Sequence, residues 1–172
     1  EKLRVEEGQL IETALTDKEG KAVFKADLPL CKFEIREIQP PIGYVSTDAV
    51  YEADCTYQGQ DVEVIKLTAY FENEITKMEI SKKDATTGEE LSGAHLTLKE
   101  KDGTVFETWI STNEPHIVKG LEPGKTYELI ETSSPYGFAI SQTVEFTVTD
   151  TGVVQKVEMI DEMVMGKLKW LK

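Results

Sequence analysis

Alternating apolar and polar residues run through most of the chain, and this pattern predicts β-strands rather than helices. The clearest stretch covers residues 127–138, and an earlier stretch at residues 33–44 repeats it. Side chains two positions apart in a strand share one face of a sheet. Each stretch therefore carries an apolar stripe that ends in an acid, Glu131 in the later copy and Glu37 in the earlier one. A glutamate is rarely buried without a partner, so both acids need one.

Turn residues divide the pattern into short strands. Gly, Pro and Asp clusters separate the alternating segments, and no segment keeps a helical period. In the first half, strands are expected around residues 10–15, 21–25, 33–37, 51–57 and 61–72. In the second half, they are expected around residues 77–83, 94–100, 104–110, 127–132, 142–149 and 153–162.

These segments form an internal repeat. The second copy, residues 76–163, is complete, whereas the first copy, residues 1–75, lacks an opening strand that carries a lysine. Residues 164–172 look like that opening strand again, either of a following repeat or as a tail, and they end at Lys172. The predicted fold class is therefore all-β: two tandem immunoglobulin-like antiparallel β-sandwiches, the first without its opening strands.

The net charge of the chain indicates which classes of partner are unfavourable. The 172 residues include 32 acidic and 19 basic side chains, for a net charge of −13. This balance argues against a nucleic-acid partner and against anionic membrane surfaces. No apolar run is long enough for a membrane span, so no membrane insertion is expected in this fragment. The chain opens on Glu1 without a signal peptide, which suggests a piece of a longer protein.

Cofactor and metal sites are not expected. The sequence has no phosphate loop, no Ser/His/Asp set and no Cys/His spacing typical of a metal site. Cys31 and Cys55 are too few for a disulfide framework. They could form one disulfide if the protein is exported, or they could be small buried fillers, which the sequence alone favours. Trp109 and Trp170 are expected to anchor cores.

Three ionisable residues of the complete copy lie on predicted core faces: Lys82, Glu131 and Asp161. They can meet, because the first and last strands of a β-sandwich are commonly adjacent. A desolvated lysine loses its proton more readily, and a desolvated carboxyl group keeps its proton. A neutral amine beside a protonated carboxyl group is a nucleophile facing an electrophile. The expected product is an amide that joins Lys82 to Asp161 with loss of water, while Glu131 shuttles protons.

Four segments carry a resemblance to a known family. They are ISKKD at residues 80–84, LSGA at 91–94, IETSSPYGF at 130–138 and MID at 159–161. In order and spacing they resemble the B-type repeats of Gram-positive collagen adhesins and shaft pilins, and the resemblance covers nearly the whole chain. It implies an internal isopeptide bond with Lys82 as nucleophile, Asp161 as acceptor and Glu131 as assisting acid. Asparagine is the more frequent acceptor in that family, so Asp161 is a minority choice.

The first copy matches the same family only in part. Glu37 and Asn73 occupy the positions of the assisting acid and the acceptor, but no lysine strand precedes Glu1. The simplest interpretation of Asn73 is a strand-end amide bonded to backbone. As an alternative, the tail strand could fill the missing position by strand addition, in its own chain or a neighbouring one, and bring Lys172 to Asn73 and Glu37.

The function predicted from these observations is structural. The chain is expected to hold stalk repeats of an extracellular, wall-attached adhesin or pilin, crosslinked once and not a turnover enzyme. Its expected partners are neighbouring repeats of the same polypeptide and a host extracellular-matrix protein bound through another domain. Three alternatives stay open: a buried salt-bridge network without a covalent bond, a module that binds a host protein or glycan, and a disfavoured enzyme that uses Glu131 and Asp161 as paired acids.

Overall fold

A computed structural model describes residues 5–167, and nine β-strands and no helix lie within that range. The strands are β1 (Lys32–Arg36), β2 (Val50–Asp54), β3 (Lys77–Asp84), β4 (His95–Glu100), β5 (Val105–Ile110), β6 (His116–Lys119), β7 (Thr126–Ser133), β8 (Val144–Thr147) and β9 (Gln155–Asp161). The described part of the chain contains no helix long and apolar enough to cross a membrane.

The contacts divide the chain into two compact units. One unit contains the residues up to Glu37 together with Asp48–Phe71, and the other contains Ile38–Thr47 together with the residues from Glu72 onward. The boundaries predicted from the sequence, 1–75, 76–163 and 164–172, stay a prediction.

Two sheets build the second unit. One has the strand order β6-β3-β9, and the other has the order β5-β4-β7-β8. Strand β3 pairs with β6 in antiparallel fashion and with β9 in parallel fashion, whereas the pairs of the four-stranded sheet are all antiparallel. The first and last strands of the complete copy are therefore adjacent, as expected, but they run in the same direction.

The core of this unit lies between the two sheets. It consists of inward-facing side chains from both sheets and their connections, namely Met78, Ile80, Ala94, Leu96, Leu98, Val118, Leu121, Tyr127, Leu129, Val148, Val157 and Met159. Within β3, β4, β7 and β9 these residues are two positions apart, which is the strand period. The all-β sandwich prediction is confirmed for this unit. Trp109 packs against the cluster and stays half-exposed, whereas Trp170 lies outside the described residues.

The first unit departs from the predicted strands. Its described residues form one two-stranded antiparallel sheet, β1 with β2, in which Lys32 is opposite Asp54. The strands expected at residues 10–15, 21–25 and 61–72 are wrong, because these residues join no sheet. The Glu12 carboxylate accepts hydrogen bonds from the backbone N–H groups of Lys25 and Ala26. These two N–H groups are therefore paired with a side chain and not with the backbone of a neighbouring strand. A first sandwich over residues 1–75 stays a prediction.

The segment Ile38–Thr47 packs within the second unit through close backbone contacts. The N–H of Val45 donates to the carbonyl of Glu74 (2.8 Å), and the N–H of Thr76 donates to the carbonyl of Gly43 (3.0 Å). Gly43 has a φ of +83°, and a Cβ atom there would lie 2.3 Å from the carbonyl oxygen of Gly120. Glycine is therefore required at position 43 for both its conformation and its contact.

We expect Gly43→Ala to destabilise the second unit more than Gly137→Ala does. Gly137 has a similar φ of +90°, but a Cβ atom there meets nothing within 4 Å. Both variants carry the strain of a positive φ, and Gly43→Ala adds overpacking of about 1–3 kcal/mol. Urea unfolding followed by circular dichroism measures the difference. Equal losses in the two variants would contradict the close packing of Gly43 on Gly120.

Candidate functional site

Lys82 points into the core from β3, and its side chain is only 1% exposed. Its backbone is held on both sides. The N–H of Lys82 donates to the carboxylate of Glu90 (3.1 Å), and the carbonyl of Lys82 accepts a hydrogen bond from the N–H of Leu91 (2.6 Å). These two hydrogen bonds hold the backbone of β3 in place at Lys82, from which the side chain enters the core.

Asp161 ends β9 on the same sheet, and its side chain is fully buried. In the parallel register, Lys82 is opposite Met159 and Asp84 is opposite Asp161. Asp161 therefore lies two positions beyond the partner of Lys82, on the same inward face. The Lys82 Nζ donates a hydrogen bond to Asp161 Oδ1, and the two groups form a buried ion pair.

Glu131 faces this pair from β7 on the other sheet. Its Oε2 lies 3.2 Å from the Lys82 Nζ, and its side chain is also fully buried. Burial raises the pKa of Glu131 above its ordinary value of 4.5. A hydrogen bond from the Ser141 N–H and the charge of Lys82 pull the pKa down in part, and the charge of Asp161 pushes it up. Glu131 is thus a carboxyl group that keeps a proton to higher pH than usual.

The structure brings together the three residues that the sequence placed on core faces. One amine and one carboxyl group come from the first and last strands of one sheet, and the second carboxyl group comes from the opposing sheet.

Ser141 completes the cluster, although it is not among the site residues predicted from the sequence. Its Oγ accepts a hydrogen bond from the Lys82 Nζ (2.9 Å) and can donate to the carbonyl of Ile160 (2.7 Å) or to Asp161 Oδ1. Its backbone N–H donates to Glu131 Oε2 (2.7 Å). One residue therefore contacts all three members of the site.

Ser141 was missed because it belongs to no alternating strand. It lies in the connection between β7 and β8, which the tertiary fold places beside the end of β9. The N–H of Ala139 donates to the carbonyl of Glu162 (3.0 Å), and Phe138 forms an isolated bridge with Met163. The sequence signals this course of the chain only by the Pro-Tyr-Gly-Phe turn, which follows the strand that carries Glu131.

Two carboxyl oxygens of the site are buried without a hydrogen-bond partner among the described residues. They are Oε1 of Glu131 and Oδ2 of Asp161. Leaving a buried acceptor unpaired costs about 1–3 kcal/mol, and more for a charged group. The buried cluster is therefore not fully satisfied as an ion-pair network.

A small cavity borders Lys82, but Glu131, Asp161 and Ser141 are not among its lining residues. It has a volume of about 50 Å³ and is lined by Lys82, Leu96, Trp109 and Ser111, among others. This volume is enough for a water molecule, and polar groups contribute to its wall.

The corresponding positions of the first copy are Glu37 and Asn73. Glu37 follows β1 and is half-buried, and Asn73 is half-buried in the second unit. Lys172 lies outside the described residues. The suggestion that Lys172 reaches Asn73 and Glu37 stays a prediction. Among residues 5–167, no group of three His, Cys, Asp or Glu side chains is arranged to hold a metal ion.

Comparison with known proteins identifies the family. Residues 76–163, just over half of the chain, match the SpaA family, described as a prealbumin-like fold domain. The chain belongs to the SpaA prealbumin-like fold family. This match confirms the resemblance to shaft-pilin repeats drawn from the sequence, and it covers every member of the Lys82 cluster.

Solved structures similar to this chain include a TIE protein and two pilins. The TIE protein of Bacillus anthracis is 26% identical, with a TM-score of 0.56 over 88% of this chain and 28% of that one. BcpA, the major pilin subunit of Bacillus cereus, is 27% identical over 50% of this chain and 28% of that one, with a TM-score of 0.44. Shaft pilin SpaA of Lactobacillus rhamnosus GG is 17% identical over 91% and 69%, with a TM-score of 0.45.

The SpaA-type chain spans under a third of the length of the TIE protein and of BcpA. No curated protein matches it.

Proposed function

We propose that the SpaA-type domain forms an isopeptide bond between Lys82 and Asp161 and serves as a stalk repeat of an extracellular, wall-attached Gram-positive pilin or adhesin. The observation that carries the proposal is a buried amine hydrogen-bonded to one buried carboxyl group, with a second carboxyl group 3.2 Å from the same nitrogen. Two carboxyl groups for one amine suit a condensation that needs an acceptor and a separate proton carrier.

The reaction starts from a site in which all three groups are neutral. In this proposal Glu131 carries a proton, which is the direction in which burial shifts its pKa, and the Lys82 ammonium passes one proton to Asp161 along their hydrogen bond. The Lys82 nitrogen then attacks Cγ of Asp161, so that a C–N bond forms. The C–OH bond of Asp161 breaks, and the hydroxyl leaves as water with a proton taken from the nitrogen. Glu131 donates to the carbonyl oxygen, relays that proton and ends unchanged.

Ser141 is assigned a positioning role in this reaction. Its Oγ holds both the Lys82 nitrogen and an oxygen of Asp161, and its N–H holds the oxygen of Glu131 that faces the amine. Fixing the reacting atoms in contact removes much of the entropic cost of a reaction between two separate groups.

The surroundings favour the product over the ion pair. Condensation removes one oxygen of Asp161, and one of the two unpaired oxygens belongs to that residue. The product remains in the site, so the reaction occurs once in each molecule and the domain is not a turnover enzyme.

The position of the bond suits a load-bearing role. It would join β3 to β9, the first and last strands of the repeat, across 79 positions of sequence. Tension that enters at β3 and leaves at β9 would then pass through the amide instead of the sandwich. By analogy with a disulfide, closing a loop of this size adds about 4–5 kcal/mol of stability. Protection from proteases follows, because proteases attack opened states.

A force measurement tests the function. When the chain is stretched from its ends, the wild-type second unit should not release the residues between Lys82 and Asp161. Lys82→Met should release them and lengthen the chain by about 270 Å, at about 3.4 Å per residue. Lys83→Met is the matched control, because Lys83 is the next residue of β3 but pairs with Glu158 at the partly exposed surface. Full release in the wild-type chain would overturn the stalk proposal.

Ser141→Ala tests the positioning role. We expect bond formation to slow by roughly tenfold to a hundredfold, because the reacting groups lose a shared anchor. Intact mass, followed over time in freshly made protein, gives the fraction of molecules that have lost a water. Ser133→Ala, an exposed serine at the end of β7, should react like the wild type. An unchanged rate in Ser141→Ala would remove this residue from the mechanism.

A further inference from the structure

Cys31 and Cys55 face each other across the two-stranded sheet of the first unit. The register of β1 and β2 places Lys32 opposite Asp54, so the next pair outward is Cys31 with Cys55. The N–H of Cys55 donates to the carbonyl of Cys31 (3.0 Å), so the backbone pairing continues one residue beyond each strand. Directly opposed residues of antiparallel strands have Cα atoms about 4.5–5.5 Å apart, and disulfides span about 4.4–6.8 Å between Cα atoms.

The two thiols share one environment. Both cysteines are half-buried and carry free thiols in the structure. Burial raises the pKa of the Cys55 thiol, and the neighbouring Cys31 and Asp54 raise it further. The influence of Cys31 on Cys55 agrees with the register, since only a nearby group acts in this way.

The sheet that carries the pair has little else to stabilise it. An isolated pair of strands is marginally stable in water. Ala53 is the only buried apolar residue among the described residues of this unit. Large apolar side chains of the unit stay exposed, including Leu15 (96%) and Tyr70 (86%). The sequence-based preference for buried fillers therefore does not fit, because the cysteines lie in no apolar core.

We propose that Cys31 and Cys55 are an oxidation site that closes into a cross-strand disulfide. A small-molecule disulfide is the oxidant: one cysteine sulfur attacks it and displaces a thiol, and the second cysteine sulfur then attacks the mixed disulfide. Two S–H bonds and the S–S bond of the reagent are lost, an S–S bond between Cys31 and Cys55 forms, and two reagent thiols are released. The ring closed by this bond contains both β1 and β2, so it holds the two strands together.

The test uses the full chain, reduced and then incubated with oxidised glutathione without denaturant. The wild type should lose two hydrogen atoms in intact mass, stay monomeric, and fall from two titratable thiols to none. Cys31→Ser and Cys55→Ser should instead keep one titratable thiol or gain one glutathione adduct. Amide hydrogen exchange in β1 and β2 should slow at least tenfold in the oxidised wild type and in neither variant.

Three results would overturn the proposal: glutathione adducts on both cysteines of the wild type, dimers linked through cysteine, or an internal bond that leaves exchange in β1 and β2 unchanged. The outcome is independent of the isopeptide bond, because that bond removes a water molecule and the disulfide removes two hydrogen atoms.

Discussion

The structure of the second unit depends on one lysine amine buried between two carboxyl groups. Taking Lys82, Glu131 and Asp161 out of water carries a large cost, and mutual attraction repays it only when the geometry is good. Register supplies that geometry: parallel pairing sets Lys82 and Asp161 on one face of one sheet, and the opposing sheet brings Glu131 within 3.2 Å of the amine. Ser141 then binds all three. Among the described residues, one oxygen of Glu131 and one of Asp161 still lack hydrogen-bond partners.

The same register connects chemistry to mechanics. Because β3 and β9 are adjacent and parallel, the proposed bond between them would let tension bypass the residues between Lys82 and Asp161. The described residues of the first unit form no such core, and the two-stranded sheet there places two cysteines opposite each other. The chain thus combines a buried amine–carboxyl cluster with a small sheet that carries a pair of opposed cysteines. In both cases, strand register decides which side chains meet.

Part of this arrangement was predictable from the sequence. Period-two alternation in the Lys82, Glu131 and Asp161 strands identified their inward faces, because each ionisable residue ends a run of apolar neighbours on its own strand. Residues 10–15 show a similar pattern but form no strand, since a strand needs a hydrogen-bonded neighbour and local alternation does not provide one. The parallel direction of β3 and β9 is also a tertiary property. Ser141 was not predicted because it lies in the connection between β7 and β8, and only the tertiary fold places that connection at the site.

The most direct test of the central claim is the intact mass of the purified chain under reducing, denaturing conditions. The account predicts that the wild type is one water molecule lighter than its sequence mass. Lys83→Met should show the same deficit against its own sequence mass, whereas Lys82→Met should show none. A wild-type chain at full sequence mass would contradict the claim and leave Lys82, Glu131 and Asp161 as a buried ion-pair network.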